Sequence, residues 1–189
     1  ELLKINKPMV IAANKSDSEN AAINTKKLIE RFGSEKVFEC SAAIELALRK
    51  AARQGIIDYT PGARSFNIIR HDISAEQERA LSYMQNFVRE RGTNVQQMLN
   101  SIVFNVLGDI VVYPVEDEGK YSDHFGNILP DAILIKKGST AQQLAYKIHT
   151  DLGDSMLYAI DAKTKMRLAK NYELKDNDVI KIVSAAKKK

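Results

Sequence analysis

One stretch decides the fold of the amino-terminal part of this chain: Pro8-Met9-Val10-Ile11-Ala12-Ala13-Asn14-Lys15-Ser16-Asp17. The run from Pro8 to Ala13 is short and apolar, which predicts a strand buried on both faces of a parallel sheet. The polar residues from Asn14 to Asp17 come at the carboxyl end of that strand, where open α/β sheets place their ligands. The stretch therefore predicts an α/β sheet with a ligand-binding edge.

The polar residues Asn14-Lys15-Ser16-Asp17 resemble the Asn-Lys-x-Asp guanine-specificity motif of GTP-binding G domains. A fixed carboxylate at Asp17 can accept two hydrogen bonds from the ring N–H and the exocyclic amine of guanine, and charge-assisted bidentate pairs are strong. Adenine has no matching pair of donors, so it would leave a desolvated carboxylate unpaired. The resemblance also implies that the stem of Lys15 lies over the base and that Asn14 ties the loop to neighbouring backbone. A structural alternative stays open, because a strand ending in Asn-x-x-Asp is often only a turn and a helix cap.

The next elements resemble a G domain in their order and separation. The pattern predicts a helix over Ala21–Phe32, a short strand over Val37–Cys40 and a second helix over Ala43–Gln54. G domains carry a Ser-Ala pair where this chain has Ser41-Ala42, and the resemblance implies that a backbone amide of the pair reaches the guanine carbonyl oxygen. The first helix has four candidate buried positions: Ile23, Leu28, Ile29 and Phe32. The predicted nucleotide-binding residues are Asn14, Lys15, Asp17, Ser41 and Ala42.

A pair of helices is predicted after a connection from Ile56 to Asp72. Ser74-x-x-Gln77 and Asn94-x-x-Gln97 are capping-box patterns, and each predicts the start of a helix. Both helices carry apolar residues at helical spacing, which core packing explains better than a membrane or partner role. The apolar positions of the second helix are Val95, Met98, Leu99, Ile102, Val103 and Val106.

From Asp109 onward the pattern changes to short strands and turns. Ser139-x-x-Gln142 predicts the start of one helix, and Gly153 predicts its end. The four predicted strands are Ile110–Val115, Ala132–Ile135, Met156–Ile160 and Val179–Val183. With the helix between the second and third strands, the order β-β-α-β-β predicts a β-grasp, ubiquitin-like domain whose mixed sheet packs on one helix.

Two segments of this second part resemble the TGS domain, which threonyl-tRNA synthetases, certain GTPases and the ppGpp synthetase/hydrolases share. They are Lys136–Gly153 and Asn171–Ile180. With the Asn-Lys-x-Asp motif upstream, the whole chain is similar to the archaeal branch of the Obg-like, YchF-type GTPases. The predicted fold class is a partial α/β G domain with a parallel sheet, a helical connector and an α+β TGS domain of the β-grasp kind. The predicted divisions are residues 1–57, 58–108 and 109–189.

The resemblance implies a GTP-binding protein. Bacterial and eukaryotic YchF relatives carry an altered base motif and prefer ATP, whereas Asp17 implies GTP or GDP. No Gly-x-x-x-x-Gly-Lys-Ser/Thr loop is found in this sequence, so it supplies neither the phosphate cradle nor the Mg²⁺ ligands of the resembled GTPases. The chain therefore resembles the carboxyl-terminal part of a longer protein. Catalytic residues stay unassigned, and we expect this chain alone not to hydrolyse GTP.

The resemblance also implies that the TGS domain contacts RNA or the ribosome. The candidate contacts are Lys136, Lys137, Lys147, Lys163, Lys165, Arg167 and the lysine tail Lys187-Lys188-Lys189. A solvated surface is the alternative for these residues, because phosphate binding needs several positive charges on one face. His149 is predicted to cap or pack near a helix end rather than to act in catalysis. A second function stays open: a non-catalytic RNA- or protein-binding module with no nucleotide function.

Composition sets the remaining limits. The 189 residues are 44% hydrophobic and 28% charged, as in ordinary globular proteins. The net charge is +4, and 13 basic against 12 acidic residues from Gly108 onward give no strong nucleic-acid signal. The single cysteine, Cys40, excludes an internal disulfide and fits a reducing, cytoplasmic compartment. No apolar run approaches the roughly 18–20 residues that cross a bilayer, and no histidine or cysteine spacing predicts a metal site.

Overall fold

The computed structural model describes residues 8–70 and 72–185. The chain divides into two units, Glu1–Ile102 and Val103–Lys189. Parts of three predictions lie outside the described residues: residues 1–7 of the predicted G-domain half, His71 of the predicted connection, and the lysine tail Lys187-Lys188-Lys189.

The first unit begins with the predicted parallel sheet. Strand β1 (Ile11–Ala13) pairs with β2 (Val37–Glu39), and Ile11 lies opposite Val37. The prediction that β1 is buried on both faces is wrong, since Ala12 is exposed. Among the described residues β1 pairs with β2 alone. Ile11 and Ala13 are half-buried, which is the alternation expected of a strand with only one face covered.

Helix α1 (Ala21–Phe32) connects the two strands and has the predicted bounds. Its buried residues are Ala21 and Thr25, whereas Ile23, a predicted buried position, is 59% exposed. The other predicted positions, Leu28, Ile29 and Phe32, are half-buried. The buried side follows a spacing of three and four residues from Ala21, and Ile23 lies off that stripe.

A hydrophobic core lies in the middle part of the first unit. Helix α2 (Ala42–Arg53), the antiparallel hairpin of β3 (Ile57–Asp58) with β4 (Asn67–Ile68), and helix α3 (Ala75–Glu90) contribute to it. Its buried members are Ile44, Leu48, Ile57, Tyr59, Phe66, Leu81, Phe87 and Val88. The hairpin lies inside the stretch predicted as a connection. The sequence analysis missed its strands because strands of two residues are too short to show an alternating pattern.

The two helical starts predicted around α3 have different outcomes. Ser74 and Gln77 form the predicted capping box of α3. Asn94 precedes helix α4 (Val95–Asn100) but does not cap it: its φ of 56° is left-handed, and its amide donates to the Arg91 carbonyl over 3.2 Å. The chain continues in a π-helical turn, Ser101–Val106, and no residue of α4 or of this turn is buried. The core packing predicted for this stripe is therefore only partial, whereas α3 has buried apolar residues. Leu99 is 45% exposed, and the half-buried positions of the stripe are Val95, Met98, Ile102, Val103 and Val106.

The second unit contains the predicted mixed sheet over helices. Strands β5 to β9 lie in the order β6-β5-β9-β7-β8, with β5 parallel to β9 and the other pairs antiparallel. Their bounds are Asp109–Val115, Ile133–Lys136, Met156–Asp161, Arg167–Leu168 and Asp178–Ser184. The sequence did not predict β8, which has only two residues.

Helix α5 (Ala141–Ile148) begins one residue later than the sequence pattern predicts. Thr140 and Gln143 form its capping box, and Thr140 Oγ1 accepts a hydrogen bond from Gln143 N–H over 3.3 Å. The prediction of a cap at Ser139 is wrong. Both residues fit the pattern, and burial of Ala141, Leu144 and Ala145 against the sheet selects the later one.

The helix also ends earlier than predicted. His149 has an extended backbone, and a separate helix α6 (Thr150–Ser155) follows it. Nδ1 of His149 accepts a hydrogen bond from Asp151 N–H over 3.1 Å, so this residue is a helix cap, as predicted. Gly153 lies within α6 and does not end the helix.

We expect Thr140→Ala to lower the free energy of unfolding of the second unit by about 1 kcal/mol, because the N3 amide of α5 loses its side-chain acceptor. Denaturant unfolding followed by circular dichroism measures the change. Ser139→Ala is the matched control and should leave stability nearly unchanged. A larger loss for Ser139→Ala than for Thr140→Ala would contradict the observed cap.

Candidate functional site

The two predicted nucleotide-binding loops lie side by side at one edge of the β1–β2 sheet. Both follow the carboxyl ends of parallel strands. Cys40 N–H donates to the Ala13 carbonyl and Ser16 N–H donates to the Cys40 carbonyl, each over 3.0 Å. These backbone bonds bring the Asn-Lys-x-Asp loop against Ser41.

Side-chain hydrogen bonds join four of the five predicted residues. Ser41 Oγ donates to Asp17 Oδ1 over 2.7 Å, and Ala42 N–H donates to Asn14 Oδ1 over 3.0 Å. Ser41 is fully buried, whereas Asp17 is exposed. Within the described ranges, no donor reaches Asp17 Oδ2. The carboxylate is therefore anchored through one oxygen and open at the other.

The amides of the Ser-Ala pair are both engaged within the protein. Ser41 N–H donates to the Thr93 carbonyl over 3.0 Å, and Asn14 accepts from Ala42 N–H. This differs from the expectation that an amide of the pair is open toward a base. Ala43 is exposed, and its N–H has no acceptor in the part of the chain that the structure describes. Ala43 therefore offers the open donor at the start of α2.

Lys15, the fifth predicted residue, lies on the surface of the loop. Its φ of 67° is left-handed, a conformation that costs a residue with a β-carbon roughly 1–2 kcal/mol. Its carbonyl accepts a hydrogen bond from Ser18 N–H over 3.0 Å, which closes the turn. Backbone strain of this kind is concentrated at functional sites.

The sequence analysis missed a buried carboxylate, Glu45, next to this edge of the sheet. Glu45 of α2 is only 4% exposed. Its Oε2 accepts hydrogen bonds from Thr93 Oγ1 over 2.6 Å and from the Tyr59 hydroxyl over 2.8 Å, and its Oε1 pairs with Arg49 Nε at 2.6 Å. A glutamate beside the apolar stripe of an amphipathic helix is the sequence signal that could have identified it.

These partners set the charge state of Glu45. Burial alone would raise the pKa of the carboxyl group, but the hydrogen bonds from Thr93, Arg49 and Tyr59 outweigh burial and hold the pKa of Glu45 below its ordinary value. Burial, and next the hydrogen bond to Glu45, raise the pKa of the Tyr59 hydroxyl. Glu45 is therefore ionised at neutral pH.

Two further residues that the sequence analysis missed contact the loops from the end of α3. Arg91 Nη1 donates to the Ser16 carbonyl over 2.7 Å, and its Nη2 lies 3.8 Å from Glu39 Oε1. The Thr93 carbonyl accepts a hydrogen bond from Ser41 N–H. No local pattern marks either residue, because Arg91 lies 75 positions from its partner Ser16.

We expect Glu45→Gln to lower the free energy of unfolding of the first unit by about 2 kcal/mol at neutral pH, because an amide cannot accept from all three donors. A lowered pKa gives stability that is present above the ordinary value of 4.5 and is lost as the pH falls through the folded-state pKa. The difference between wild type and variant should therefore shrink on acidification. Denaturant unfolding at several pH values measures it.

Glu30→Gln, at an exposed position of α1, is the matched control for Glu45→Gln and should change stability little at any pH. Equal losses in the two variants, or a loss at Glu45 that is independent of pH, would contradict the role assigned to the buried carboxylate.

The six predicted RNA-binding cations are not gathered into one patch. Lys136 and Lys137 lie at the end of β6, one edge of the second sheet, whereas Lys163, Lys165 and Arg167 belong to the β7–β8 hairpin at the other edge. Three strands separate these edges, which corresponds to about 19 Å at the usual spacing of strands.

Most of these cations also have acceptors within the protein. Lys136 pairs with Asp109 Oδ1 at 2.7 Å, and the Arg167 guanidinium lies 3.8 Å from the centre of the Tyr158 ring. Lys137 is exposed, and none of the described residues accepts a hydrogen bond from its ammonium group. The lysines whose ammonium groups donate to backbone carbonyls are Lys136, Lys147, Lys163 and Lys165.

Three further findings limit the chemistry of the described residues. They contain no group of three or more histidine, cysteine, aspartate or glutamate side chains that could hold a metal ion. None of their helices is both long and apolar enough to cross a membrane. Cys40 is a free thiol, buried at the end of β2; burial, with a smaller effect of Glu39, raises its pKa.

Comparison with known families agrees with the predicted fold. Residues 12–117 match the family described as Obg-like GTPase YGR210-like, G4 motif-containing domain, and residues 125–184 match the TGS domain. The parallel sheet with its Asn-Lys-x-Asp loop and the β-grasp unit thus define a protein that joins a G4 motif-containing domain to a TGS domain. The first match covers more than half of the chain, and the chain belongs to the Obg-like GTPase family.

Similar proteins support this assignment. An uncharacterized GTP-binding protein of Methanocaldococcus jannaschii is 51% identical over 99% of this chain and 48% of its own length. The crystal structure of a GTP binding protein from Pyrococcus horikoshii has a TM-score of 0.70 at 44% identity, over 97% of this chain and 48% of that one. The YchF GTPase of Schizosaccharomyces pombe shares the fold, with a TM-score of 0.55 at 14% identity over 94% of this chain and 43% of that one. The chain spans about half the length of these relatives.

Proposed function

We propose that this chain carries the guanine-recognition site of a GTPase, and that Asp17 recognises the base. The observation that supports this proposal is the 2.7 Å hydrogen bond from the buried Ser41 hydroxyl to Asp17 Oδ1. A carboxylate held in this way presents its acceptors in one orientation, and preorganised groups bind without the entropic cost of ordering them.

The proposed reading of guanine uses donors and acceptors on both sides of the base. Asp17 accepts the ring N–H and the exocyclic amine, with Oδ2 available and Oδ1 able to accept a second bond. Ala43 N–H, at the start of α2, donates to the guanine carbonyl oxygen in place of the Ala42 amide, which Asn14 occupies. The apolar stem of Lys15 covers the face of the ring.

We expect Asp17→Asn to lower GDP affinity at least about tenfold, because a charge-assisted pair of hydrogen bonds is replaced by a neutral amide. The preference for GDP over ADP should disappear with it. Xanthosine diphosphate should bind the variant better than the wild type, because xanthine replaces the amine donor with a carbonyl that an amide can bind. Fluorescence titration of the longest expressible form of the protein measures all three affinities.

Glu19→Gln removes an exposed carboxylate two residues further along the same loop and should leave all three affinities unchanged. Equal binding of GDP and ADP by the wild type would show the guanine assignment to be wrong. Binding of neither nucleotide, with RNA or protein binding retained, would favour the alternative of a non-catalytic binding module.

GTP hydrolysis, with Mg²⁺ as cofactor, is proposed only for a protein that has the full length of the relatives. The described residues contain no group of three or more histidine, cysteine, aspartate or glutamate side chains that could hold a metal ion, and no residue of this chain is assigned a role toward Mg²⁺. Its proposed contribution is selection of the base. We also propose a cytoplasmic location, since a single unpaired cysteine suits a reducing compartment.

We further propose that the TGS unit contacts RNA or the ribosome through Lys137. This exposed lysine has no internal acceptor among the described residues, whereas Lys136 beside it is paired with Asp109. An ammonium group that is free of internal partners can replace a counterion on a phosphate.

We expect Lys137→Gln to weaken binding of RNA or ribosomes and to reduce the slope of log affinity against log salt by about 1, the value for one lost phosphate contact. Pelleting with ribosomes and RNA titration at several salt concentrations measure both quantities. Lys175→Gln, at another exposed lysine of the unit, is the control. An unchanged slope in Lys137→Gln would contradict this contact.

A further inference from the structure

The turn between α3 and α4, Arg91-Gly92-Thr93-Asn94, contacts both candidate base-binding loops. Its Arg91 guanidinium donates to the Ser16 carbonyl over 2.7 Å. The Thr93 carbonyl receives the Ser41 amide over 3.0 Å. We call these four residues the α3–α4 turn. It is the third segment of chain at this edge of the sheet, after the two loops themselves.

The α3–α4 turn is held in place by the body of the first unit. Arg91 N–H donates to the Phe87 carbonyl over 2.8 Å, which ends α3. Gly92 has a φ of 73°, and a β-carbon there would lie 2.9 Å from Arg64 Cζ, so the position suits glycine. Thr93 is 2% exposed, and its hydroxyl donates to the buried Glu45 carboxylate over 2.6 Å.

The two contacts restrain Asp17, one through the residue before it and the other through the side chain that bonds its carboxylate. Ser16, held by Arg91, is the residue immediately before Asp17. Ser41, whose amide Thr93 holds, donates its hydroxyl to the Asp17 carboxylate. The turn therefore sets both the backbone that carries this carboxylate and the side chain that orients it.

We propose that the α3–α4 turn positions the base-recognising carboxylate, with Arg91 as the positioning residue. This inference rests on the proposed guanine site and deepens it: base selectivity depends on a helical segment that lies outside the two recognition loops. The simpler role for Arg91 is that of a cation near the carboxyl end of a helix, where it stabilises the last carbonyls. That role predicts a loss of stability without any change in base selectivity.

The proposal predicts that Arg91→Ala lowers the ratio of GDP to ADP affinity about tenfold, the usual effect of losing a hydrogen bond from a charged donor. In an Asp17→Asn background the same change should have no further effect on the ratio, because the residue that Arg91 positions is already altered. Arg91→Lys should restore part of the ratio. Arg89→Ala removes an exposed arginine of α3 whose guanidinium donates to Asn86 Oδ1, and it is the control that leaves the ratio unchanged.

Amide hydrogen exchange of the nucleotide-free protein tests the positioning separately from the binding. Exchange at Ser16 and Ser41 should be faster in Arg91→Ala than in wild type and unchanged in Arg89→Ala. If the wild type shows no GDP preference, the proposed function is wrong. Faster exchange at these two amides in Arg91→Ala would even then support the positioning of the loops by the α3–α4 turn. Unchanged exchange, an unchanged ratio, or an equal effect of Arg91→Ala with and without Asp17→Asn overturns the proposal. Should Arg91→Ala fail to fold, Arg91→Lys serves as the test variant. We then expect an intermediate loss of the GDP-to-ADP affinity ratio, and an unchanged ratio would contradict the proposal.

Discussion

The buried carboxylate of Glu45 is the interaction on which the first unit depends. It accepts hydrogen bonds from Arg49 on its own helix, from Tyr59 after β3 and from Thr93 after α3. Burying an ionised carboxylate costs several kcal/mol unless such partners surround it, so the charge requires all three elements to meet at one point. Because the carbonyl of Thr93 also binds the Ser41 amide, the same requirement fixes the edge of the sheet where the candidate base-binding loops lie.

The parts of the fold that could be predicted are those with strong local signals. The bounds of α1 follow from its apolar spacing and Gly33, and Ser74 with Gln77 marks the start of α3. Prediction failed where a local pattern fits two registers, as with the adjacent Ser139 and Thr140. Burial of the helix against the sheet determines which of the two residues is the cap. It also failed at Asn94, whose left-handed backbone turns the side chain away from the helix that it precedes.

The same distinction between local and long-range signals applies to the candidate site. The adjacency of Asp17 and Ser41 could be expected, because the carboxyl ends of neighbouring parallel strands meet at one edge. Glu45, Arg91 and Thr93 could not be found in this way, since their contacts join residues 48 and 75 positions apart. The internal partners of the second unit's lysines could not be predicted for a different reason: sequence shows a positive charge but not the carbonyl or carboxylate that already binds it.

If this edge selects a base as proposed, the position of Asn14 explains why the selection requires more than a carboxylate. By accepting the Ala42 amide, Asn14 leaves the Ala43 amide as the open donor at the amino end of α2, where the helix dipole favours an acceptor. In the proposed site, guanine would present its carbonyl oxygen toward that end and its two N–H donors toward Asp17. Adenine presents an amine where the carbonyl should be, and it lacks the ring N–H that the carboxylate accepts. The wrong base would therefore oppose donor to donor on one side and leave a desolvated charge on the other. Each mismatch carries its own cost, so the proposed discrimination requires both loops to keep their relative position.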